Sequence, residues 1–211
     1  KLRKPSNAAF VVVQHLAPDH RSLMADLLGP HCALDVKEGV DGQLLLPDQV
    51  YLMPSGVMLS IDDGHLRFEP RPFKGLSLPI NRVLESLAAH NAGQTVAVVL
   101  SGSGSDGSAG ASELRRRGGF VLVQDPASAQ FDSMPRSVIQ STLVDACQPP
   151  EGLAETVLAI TQGRADRLAE EGLVHAPSAR SALHRVFTAM LDRHGIDFSQ
   201  YKLPTIMRRI E

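Results

Sequence analysis

Two apolar runs of the sequence end in side chains that could do acid–base chemistry. The run AFVVV at 9–13 is followed by Gln14 and His15, and the run VAVVL at 96–100 leads into the loop SGSGSDG, which carries Asp106. A carboxylate that holds a histidine in one tautomer is the orienting half of a Ser-His-Asp hydrolase site. Because working residues of open α/β sheets gather at the carboxyl ends of strands, we expect His15 and Asp106 to lie within hydrogen-bond reach.

Each of these two residues also has a purely structural explanation. His15 could be a hydrogen-bonded histidine of the core, and Asp106 could cap the helix that follows from Ser108. The residues alone leave both interpretations open.

The loop after the second run also has the spacing G-x-G-x-x-G, at Gly102, Gly104 and Gly107. A strand before it, a helix after it and Asp125 at the end of the next strand fit a dinucleotide-binding loop. Asp106 argues against this interpretation, because its carboxylate would repel a pyrophosphate bound at the helix N-terminus. Nucleotide binding is therefore a distant alternative.

The elements around these loops predict an α/β fold. Buried strands are expected at 9–16, 95–100 and 120–125, and helices at 18–30, 79–93, 108–117 and 151–163. Strand–helix–strand spacing predicts a mainly parallel, Rossmann-like three-layer sheet flanked by helices. Asp63-Gly64, between VMLSI and HLRFE, predicts a β-hairpin insertion at the sheet edge. In the helix over 18–30, Leu23, Leu27 and Leu28 fall on one face.

Composition limits the class of protein. The chain has 211 residues, 43% hydrophobic and 21% charged, which predicts a globular protein with one core and room for a small second unit. A net charge of −2 argues against nucleic-acid binding, and no apolar run approaches the ~18 residues of a membrane span. Cys32 and Cys147 form neither a metal spacing nor a disulfide framework, so we expect buried thiols and a cytoplasmic location.

The composition of the sequence changes after Gly163. Residues 164–180 are charged and alanine-rich and predict a linker, whereas 181–211 predict a helical C-terminal extension. The C-terminus is therefore expected to hold the first elements of a second domain. Within the first domain, Arg115, Arg116 and Arg117 could meet an acidic partner or form a solvated helix end.

Several ordered motifs resemble the chemotaxis-type protein-glutamate methylesterases, that is, the CheB catalytic domain. They are VVVQHLAPDHRSLMADLL, DGQLLLPDQVYLMPSG and VVLSGSGSDGSAGASELRRRGGFVLVQDPASAQFDSMPRSVI, and they extend over residues 9–160. The order of three long motifs is far more specific than a single glycine loop.

The resemblance assigns roles to residues of this chain. It implies that His15 and Asp106 are the histidine and aspartate of a catalytic triad, and that Ser103 lends a backbone N–H to the oxyanion. It places Gly102 and Gly104 in the same active-site loop, and Met134 and Pro135 at the end of a segment beside the substrate.

The resemblance further implies hydrolysis of glutamate γ-methyl esters on the cytoplasmic helices of chemoreceptors, without a metal or cofactor. Some relatives also deamidate glutamine.

The family's nucleophilic serine lies in a G-A-S-x-G-G turn after an earlier strand, and the chain has no such turn. Ser6 has no glycine elbow and is not taken as a substitute. We therefore expect the methylesterase domain, 1–163, to be N-terminally incomplete and inactive alone, with an unpaired sheet edge. Homo-oligomerisation could then occur through this edge or through the C-terminal helices.

The tail resembles a second family. LDRHGIDFSQYKLPTIMRRIE is similar to the start of the N-terminal helical domain of CheR chemotaxis methyltransferases, which implies an esterase–transferase hybrid. S-adenosylmethionine would serve only the transferase part, whose binding domain is not expected in this chain. The competing hypothesis is a non-catalytic module that docks a receptor or regulates the transferase.

Overall fold

The computed structural model describes residues 4–15, 22–72 and 77–164. The predicted linker and the C-terminal helical extension lie outside these residues, apart from Arg164. Everything below concerns the described part of the chain.

Eight strands and five α-helices make up the described fold. The strands are β1 Phe10–Val12, β2 Asp35–Glu38, β3 Gln49–Leu52, β4 Val57–Asp62, β5 His65–Pro70, β6 Val96–Val99, β7 Phe120–Gln124 and β8 Ala146–Gln148. The helices are α1 Met24–Leu28, α2 Pro79–His90, α3 Ser108–Arg116, α4 Ser133–Ser141 and α5 Pro150–Thr161. Short 3-10 turns follow α1 and α2 and precede α4, at Gly29–His31, Ala92–Gln94 and Pro126–Ser128.

Six of the strands form two parallel sheets of three strands each. The first sheet has the order β1-β3-β2 and the second has the order β6-β7-β8. Helices flank both sheets, so the α/β fold class is confirmed. The prediction did not anticipate that the parallel strands fall into two separate sheets.

The second sheet carries the best-packed part of the core. Val121 and Val123 of β7 contact α3 and α4, whereas Leu122 between them points to the opposite face and contacts α5. All three residues are 0% exposed. This alternation follows from the period of two residues along a strand, and it produces the predicted three layers.

The predicted hairpin is confirmed at Asp63-Gly64, but it forms a separate two-stranded sheet, and its predicted position at the sheet edge was wrong. Strands β4 and β5 pair antiparallel over their full length, and Asp62 faces His65 across the turn. Leu59 and Ile61 of the hairpin pack with Tyr51 of β3 and Val83 of α2, which places the hairpin on one face of the first sheet.

Two details around the first sheet differ from the prediction. Strand β1 is only three residues long and half-buried, because β3 is its only strand partner among the described residues. Helix α1 begins at Met24, and Leu23 and Leu27 are both 63% exposed. The face that packs on the sheet is Met24, Ala25 and Leu28, because apolar residues on both sides of Asp26 are compatible with more than one buried face.

Two predictions about charged and sulfur-containing side chains also need correction. Arg115 is not exposed but forms a buried ion pair with Asp145, Nη2 to Oδ1 at 2.9 Å. Arg116 and Arg117 both bind Glu113, so one of their two positive charges is compensated within α3 and its end. Both cysteines are free thiols, but Cys32 is half-buried and Cys147 is exposed, because β8 is an edge strand.

Candidate active site

The structure brings the two predicted side chains into direct contact. His15 lies three residues beyond the end of β1, and Asp106 lies in the loop between β6 and α3. The His15 Nε2 and Asp106 Oδ2 atoms are 2.9 Å apart. The expected proximity of His15 and Asp106 is therefore observed, while their catalytic roles stay a prediction.

The two partners differ sharply in exposure. The side chain of His15 is 41% exposed, and that of Asp106 is only 4% exposed. His15 is thus not a core histidine, which removes its structural explanation. A buried carboxylate needs hydrogen-bond donors around it, because an unsolvated charge is costly.

Helix α2 supplies those donors to Asp106. The Ile80 N–H donates to Oδ2 and the Asn81 N–H donates to Oδ1, each at 2.9 Å. Both belong to the first turn of α2, where free N–H groups and the helix dipole favour an anion. Asp106 therefore caps α2, and the prediction that it could cap its own helix was wrong. The Oδ2 atom that accepts the Ile80 N–H also faces His15 Nε2, so the aspartate serves as a cap and binds His15 at once.

Close packing of α2 against α3 fixes the position of this cap. The Asn81 Oδ1 atom accepts the Gly110 N–H at 2.8 Å in a buried position. A Cβ atom at Gly110 would lie 2.7 Å from Leu84 Cβ, so only glycine allows the two helices to approach this closely. The neutral amide of Asn81 avoids a second carboxylate beside Asp106.

The loop before Asp106 is bound on one side to the segment around α4. The Ser101 N–H donates to Gln124 Oε1, the Gly102 N–H to Phe131 O and the Gly104 N–H to Ser133 Oγ. The Ser103 N–H, in contrast, has no hydrogen-bond partner within residues 4–15, 22–72 and 77–164.

The orientation of the Ser103 N–H follows from the peptide that contains it. The Gly102 carbonyl accepts the Met134 N–H of α4 at 3.0 Å. In a planar trans peptide the C=O and N–H bonds point in opposite directions. The Ser103 N–H therefore points away from α4, on the exposed side of the loop. An N–H held in this way can stabilise a developing oxyanion.

The predicted substrate-side residues support the loop from within. Met134 is 9% exposed and Pro135 is almost fully buried, both in the first turn of α4. A Cβ atom at Gly102 would collide with Met134 Cε, so a larger residue there would displace the end of the Met134 side chain. A direct contact of Met134 or Pro135 with substrate stays a prediction.

The structure removes the basis of the dinucleotide hypothesis. The N–H groups of Ser101, Gly102 and Gly104, which a phosphate would need, already bind acceptors of the protein. Gly107 has a φ of +93° and its Cβ would lie 2.8 Å from Ile80 Cγ2, so this glycine serves the turn and the contact with α2.

No nucleophile contacts His15 in the described part of the chain. Asp106 is the only polar partner that His15 has there, so the Nδ1 atom of the ring is available. Ser6 lies before β1 and His15 after it, at opposite ends of the strand. The Ser6 Oγ atom donates to Asp48 Oδ1 at 2.6 Å, and these hydrogen bonds from Ser6 lower the pKa of Asp48. Ser6 is thus engaged elsewhere, in agreement with its exclusion.

Sequence reasoning missed the residues that hold the loop. Gln124 is buried at the end of β7, and its Nε2 donates to the Ser128 carbonyl while its Oε1 binds the loop. Ser133, Ser137 and Ser141 recur every four residues along α4. This spacing indicates from the sequence that the three serines share one helix face. Nothing in the sequence shows that this face contacts the 101–108 loop.

The described residues contain neither a metal cluster nor a helix that could span a membrane. Within 4–15, 22–72 and 77–164, no group of three or more His, Cys, Asp and Glu side chains could hold a metal ion. No helix of the described chain is long and apolar enough to cross a membrane.

Together, the fold and the site define an α/β domain that carries a histidine–carboxylate pair at the carboxyl ends of parallel strands. A model of the family described as CheB methylesterase matches residues 1–157. The chain belongs to the CheB methylesterase family.

Individual relatives agree with this assignment. The crystal structure of the Thermotoga maritima CheB methylesterase catalytic domain superposes with a TM-score of 0.66 at 30% identity, covering 74% of this chain and 86% of that one. A protein-glutamate methylesterase/protein-glutamine glutaminase of Rhizobium meliloti is 35% identical over 159 residues, which are 74% of this chain and 45% of the relative.

A larger relative aligns with more of the chain. An uncharacterised 104.1 kDa protein of Rhodobacter capsulatus is 32% identical over 214 aligned residues, which cover 89% of this chain and 22% of that protein. The chain thus spans less than half the length of these two curated relatives.

Proposed function

We propose that this domain hydrolyses glutamate γ-methyl esters on chemoreceptors through a Ser-His-Asp mechanism. The observation that carries the proposal is the 2.9 Å contact between His15 Nε2 and the buried carboxylate of Asp106 in a chain of the CheB methylesterase family. Relatives are named for methylester hydrolysis and for glutamine deamidation. Both reactions replace a group on the same γ-carbonyl carbon.

The pair can act as a base that is held in one tautomer. Asp106, which accepts two N–H groups of α2, also accepts the Nε2–H of His15, which leaves the lone pair on Nδ1. Nδ1 takes the proton of a serine hydroxyl as the serine oxygen attacks the ester carbonyl. The resulting imidazolium gives this proton to methoxide, and methanol leaves. Water then attacks the acyl-enzyme with His15 again acting as base, which releases the glutamate and the serine.

The 102–104 loop supplies electrostatic stabilisation in this proposal. The tetrahedral intermediate carries a negative oxygen, and the Ser103 N–H is the loop donor that the protein leaves unused in the described part of the chain. A donor that is already oriented need not reorganise during the reaction.

The serine in this proposal lies outside the described residues, in a strand that the family places before the Q-H motif. Strands β1 and β6 each have one strand partner within the described chain, β3 and β7 respectively. The residues that follow β1 and β6 meet at His15 and Asp106. A parallel strand between these two edges would therefore carry its carboxyl-end turn to the same place. Homo-oligomerisation through a free edge is a separate prediction that sedimentation can test.

The tail supports a wider arrangement, an esterase domain followed by a CheR-like methyltransferase. The resemblance of residues 191–211 and the alignment with a 104.1 kDa relative over 89% of the chain support it. S-adenosylmethionine would bind only the transferase part, and the esterase would need no cofactor. A cytoplasmic location agrees with a chemoreceptor substrate.

The competing function is a non-catalytic docking or regulatory module. It is favoured by one observation, namely that no nucleophile contacts His15 in the described chain. Release of methanol from methylated receptor separates the two functions. We expect the complete protein that carries this chain to release methanol, with a loss on the order of 10⁴-fold in Asp106→Asn and a similar loss in His15→Ala.

The 211-residue chain serves as a further control and is expected to release no methanol. Receptor binding without His15-dependent methanol release by the complete protein would favour the docking module. Robust hydrolysis by the 211-residue chain would show that the nucleophile has been misplaced.

A further inference from the structure

One hydroxyl group bridges the two peptide groups on either side of Ser103. The Ser133 Oγ atom donates to the Gly102 carbonyl at 3.3 Å and accepts the Gly104 N–H at 3.0 Å. A serine hydroxyl has one proton and two lone pairs, so it can make both hydrogen bonds at once. Ser133 is the first residue of α4 and its hydroxyl does not cap that helix.

These two hydrogen bonds act on the orientation of the Ser103 N–H. The Gly102 carbonyl and the Ser103 N–H belong to one trans peptide plane, so holding the carbonyl fixes the direction of the N–H. The Gly104 N–H fixes the other side of Ser103, where Gly104 has a φ of +90°. A residue with glycine on both sides is otherwise free to rotate, because glycine adopts many backbone conformations.

We propose that Ser133 is a positioning residue, which orients the Ser103 N–H toward the oxyanion by clamping the peptides on both sides of it. This inference rests on the proposed esterase function. Ser133 touches neither His15 nor Asp106 in the structure, so it acts only through the loop. The Met134 N–H holds the same Gly102 carbonyl at 3.0 Å, so loss of the hydroxyl should loosen the loop without releasing it.

The chain offers a matched control for this serine. Ser141 lies on the same face of α4 two turns later, and its hydroxyl donates to the Ser108 carbonyl at the start of α3 at 3.2 Å. Its contact therefore ties α4 to α3 without touching the peptides next to Ser103. Ser133→Thr keeps the hydroxyl and Ser133→Ala removes it.

Hydrogen exchange tests the clamp without any need for activity. In the complete protein, measured by mass spectrometry with single-residue fragmentation, Ser133→Ala should raise the exchange rate of the Gly104 amide at least roughly ten-fold, because its acceptor is lost. Ser133→Thr and Ser141→Ala should leave this rate near that of the unmodified protein. An unchanged Gly104 rate in Ser133→Ala would overturn the proposal.

Kinetics on methylated receptor tests the consequence for catalysis. Ser133→Ala should lower kcat roughly ten-fold with little change in KM, since misplacing a catalytic group by a fraction of an ångström affects the transition state more than binding. Ser133→Thr should recover most of the rate, and Ser141→Ala should leave it unchanged. An Ala variant with normal kcat, measured while His15→Ala abolishes turnover, would contradict the Ser133 proposal alone. Hydrolysis that does not depend on His15 would instead contradict the proposed function, and the exchange rates would still decide whether the clamp exists.

Discussion

The two parallel sheets of this domain differ in the helices that flank them and in the strand that leads to the site. In the sheet β6-β7-β8, the central strand has three consecutive side chains at 0% exposure, with α3 and α4 on one face and α5 on the other. In the sheet β1-β3-β2 the central strand is also buried, with Tyr51 at 1% exposure, but β1 has three residues, all half-buried, and the helix α1 has only five residues. We call the part of the fold built on β1-β3-β2 the first unit and the part built on β6-β7-β8 the second unit. The ion pairs of the two units differ in the same sense. Arg115–Asp145 is buried in the second unit, whereas Lys4–Asp35 is exposed in the first.

The candidate site takes one group from each unit. Asp106 follows β6 and is buried, with two helix N–H donors, while His15 follows β1 and is 41% exposed. Helix α2 joins the units, because Val83 packs with the first sheet and the hairpin, and Leu84 packs with the second. The fold thus fixes the position of Asp106. His15 is oriented in the described structure by its contact with Asp106.

The largest expected contrast concerns the two ion pairs. Arg115→Ala leaves Asp145 with a buried charge and should cost about 3–5 kcal/mol in the free energy of unfolding. Lys4→Ala removes an exposed partner of Asp35 and should cost at most about 1 kcal/mol. Urea denaturation of both variants measures the difference. Equal losses of stability in the two variants would show that the second unit is not packed more tightly than the first.

The next contrast concerns the two members of the site. Asp106→Ala removes the acceptor of the Ile80 and Asn81 N–H groups and should cost about 1–3 kcal/mol of stability. His15→Ala removes an exposed side chain and should change stability by no more than about 0.5 kcal/mol. Thermal and urea unfolding test this pair. A His15→Ala variant as unstable as Asp106→Ala would show that the histidine also supports the fold.

The smallest expected effect is the dependence of folding stability on pH that arises in the second unit. The hydrogen bond from Arg116, with Arg117 beside it, lowers the pKa of Glu113 from 4.5 to about 2. A lowered pKa means that Glu113 stabilises the folded state above pH 4.5 and that this contribution is lost as the pH falls through about 2.

The variant Glu113→Gln isolates this contribution. The stability difference between the unmodified protein and the variant should shrink as the pH falls from 4.5 to 2, and high salt should reduce it at neutral pH. Glu155→Gln, on the exposed side of α5, is the control because Glu155 has no ion-pair partner among the described residues. A difference that is independent of pH would mean that Glu113 acts by packing alone.

Local signals in the sequence were sufficient for much of the fold. The β-branched runs, the Asp63-Gly64 turn, and Pro79 at the start of α2 identified the strands, the hairpin and that helix. The meeting of His15 and Asp106 was also predictable, because it needs only the rule that strand ends converge at one edge.

Contacts between distant segments could not be predicted in the same way. The cap on α2 comes from Asp106, 26 residues after Ile80, whereas a capping signal is ordinarily sought just before the helix. The partner of Arg115 is Asp145, which comes after β7 in the chain. Ser133 contacts a loop that lies about 30 residues earlier in the sequence. Sequence periodicity shows which residues share a face, but not which element that face will contact.

The most direct test of the central claim is a double-mutant cycle on methanol release from methylated receptor. If His15 and Asp106 form one catalytic unit, the double variant should lose no more rate than His15→Ala alone, on the order of 10³-fold or more, and Asp106→Ala should lose as much or less, because the acid acts only through the histidine. Losses that multiply in the double variant would contradict the account, since the two residues would then act independently.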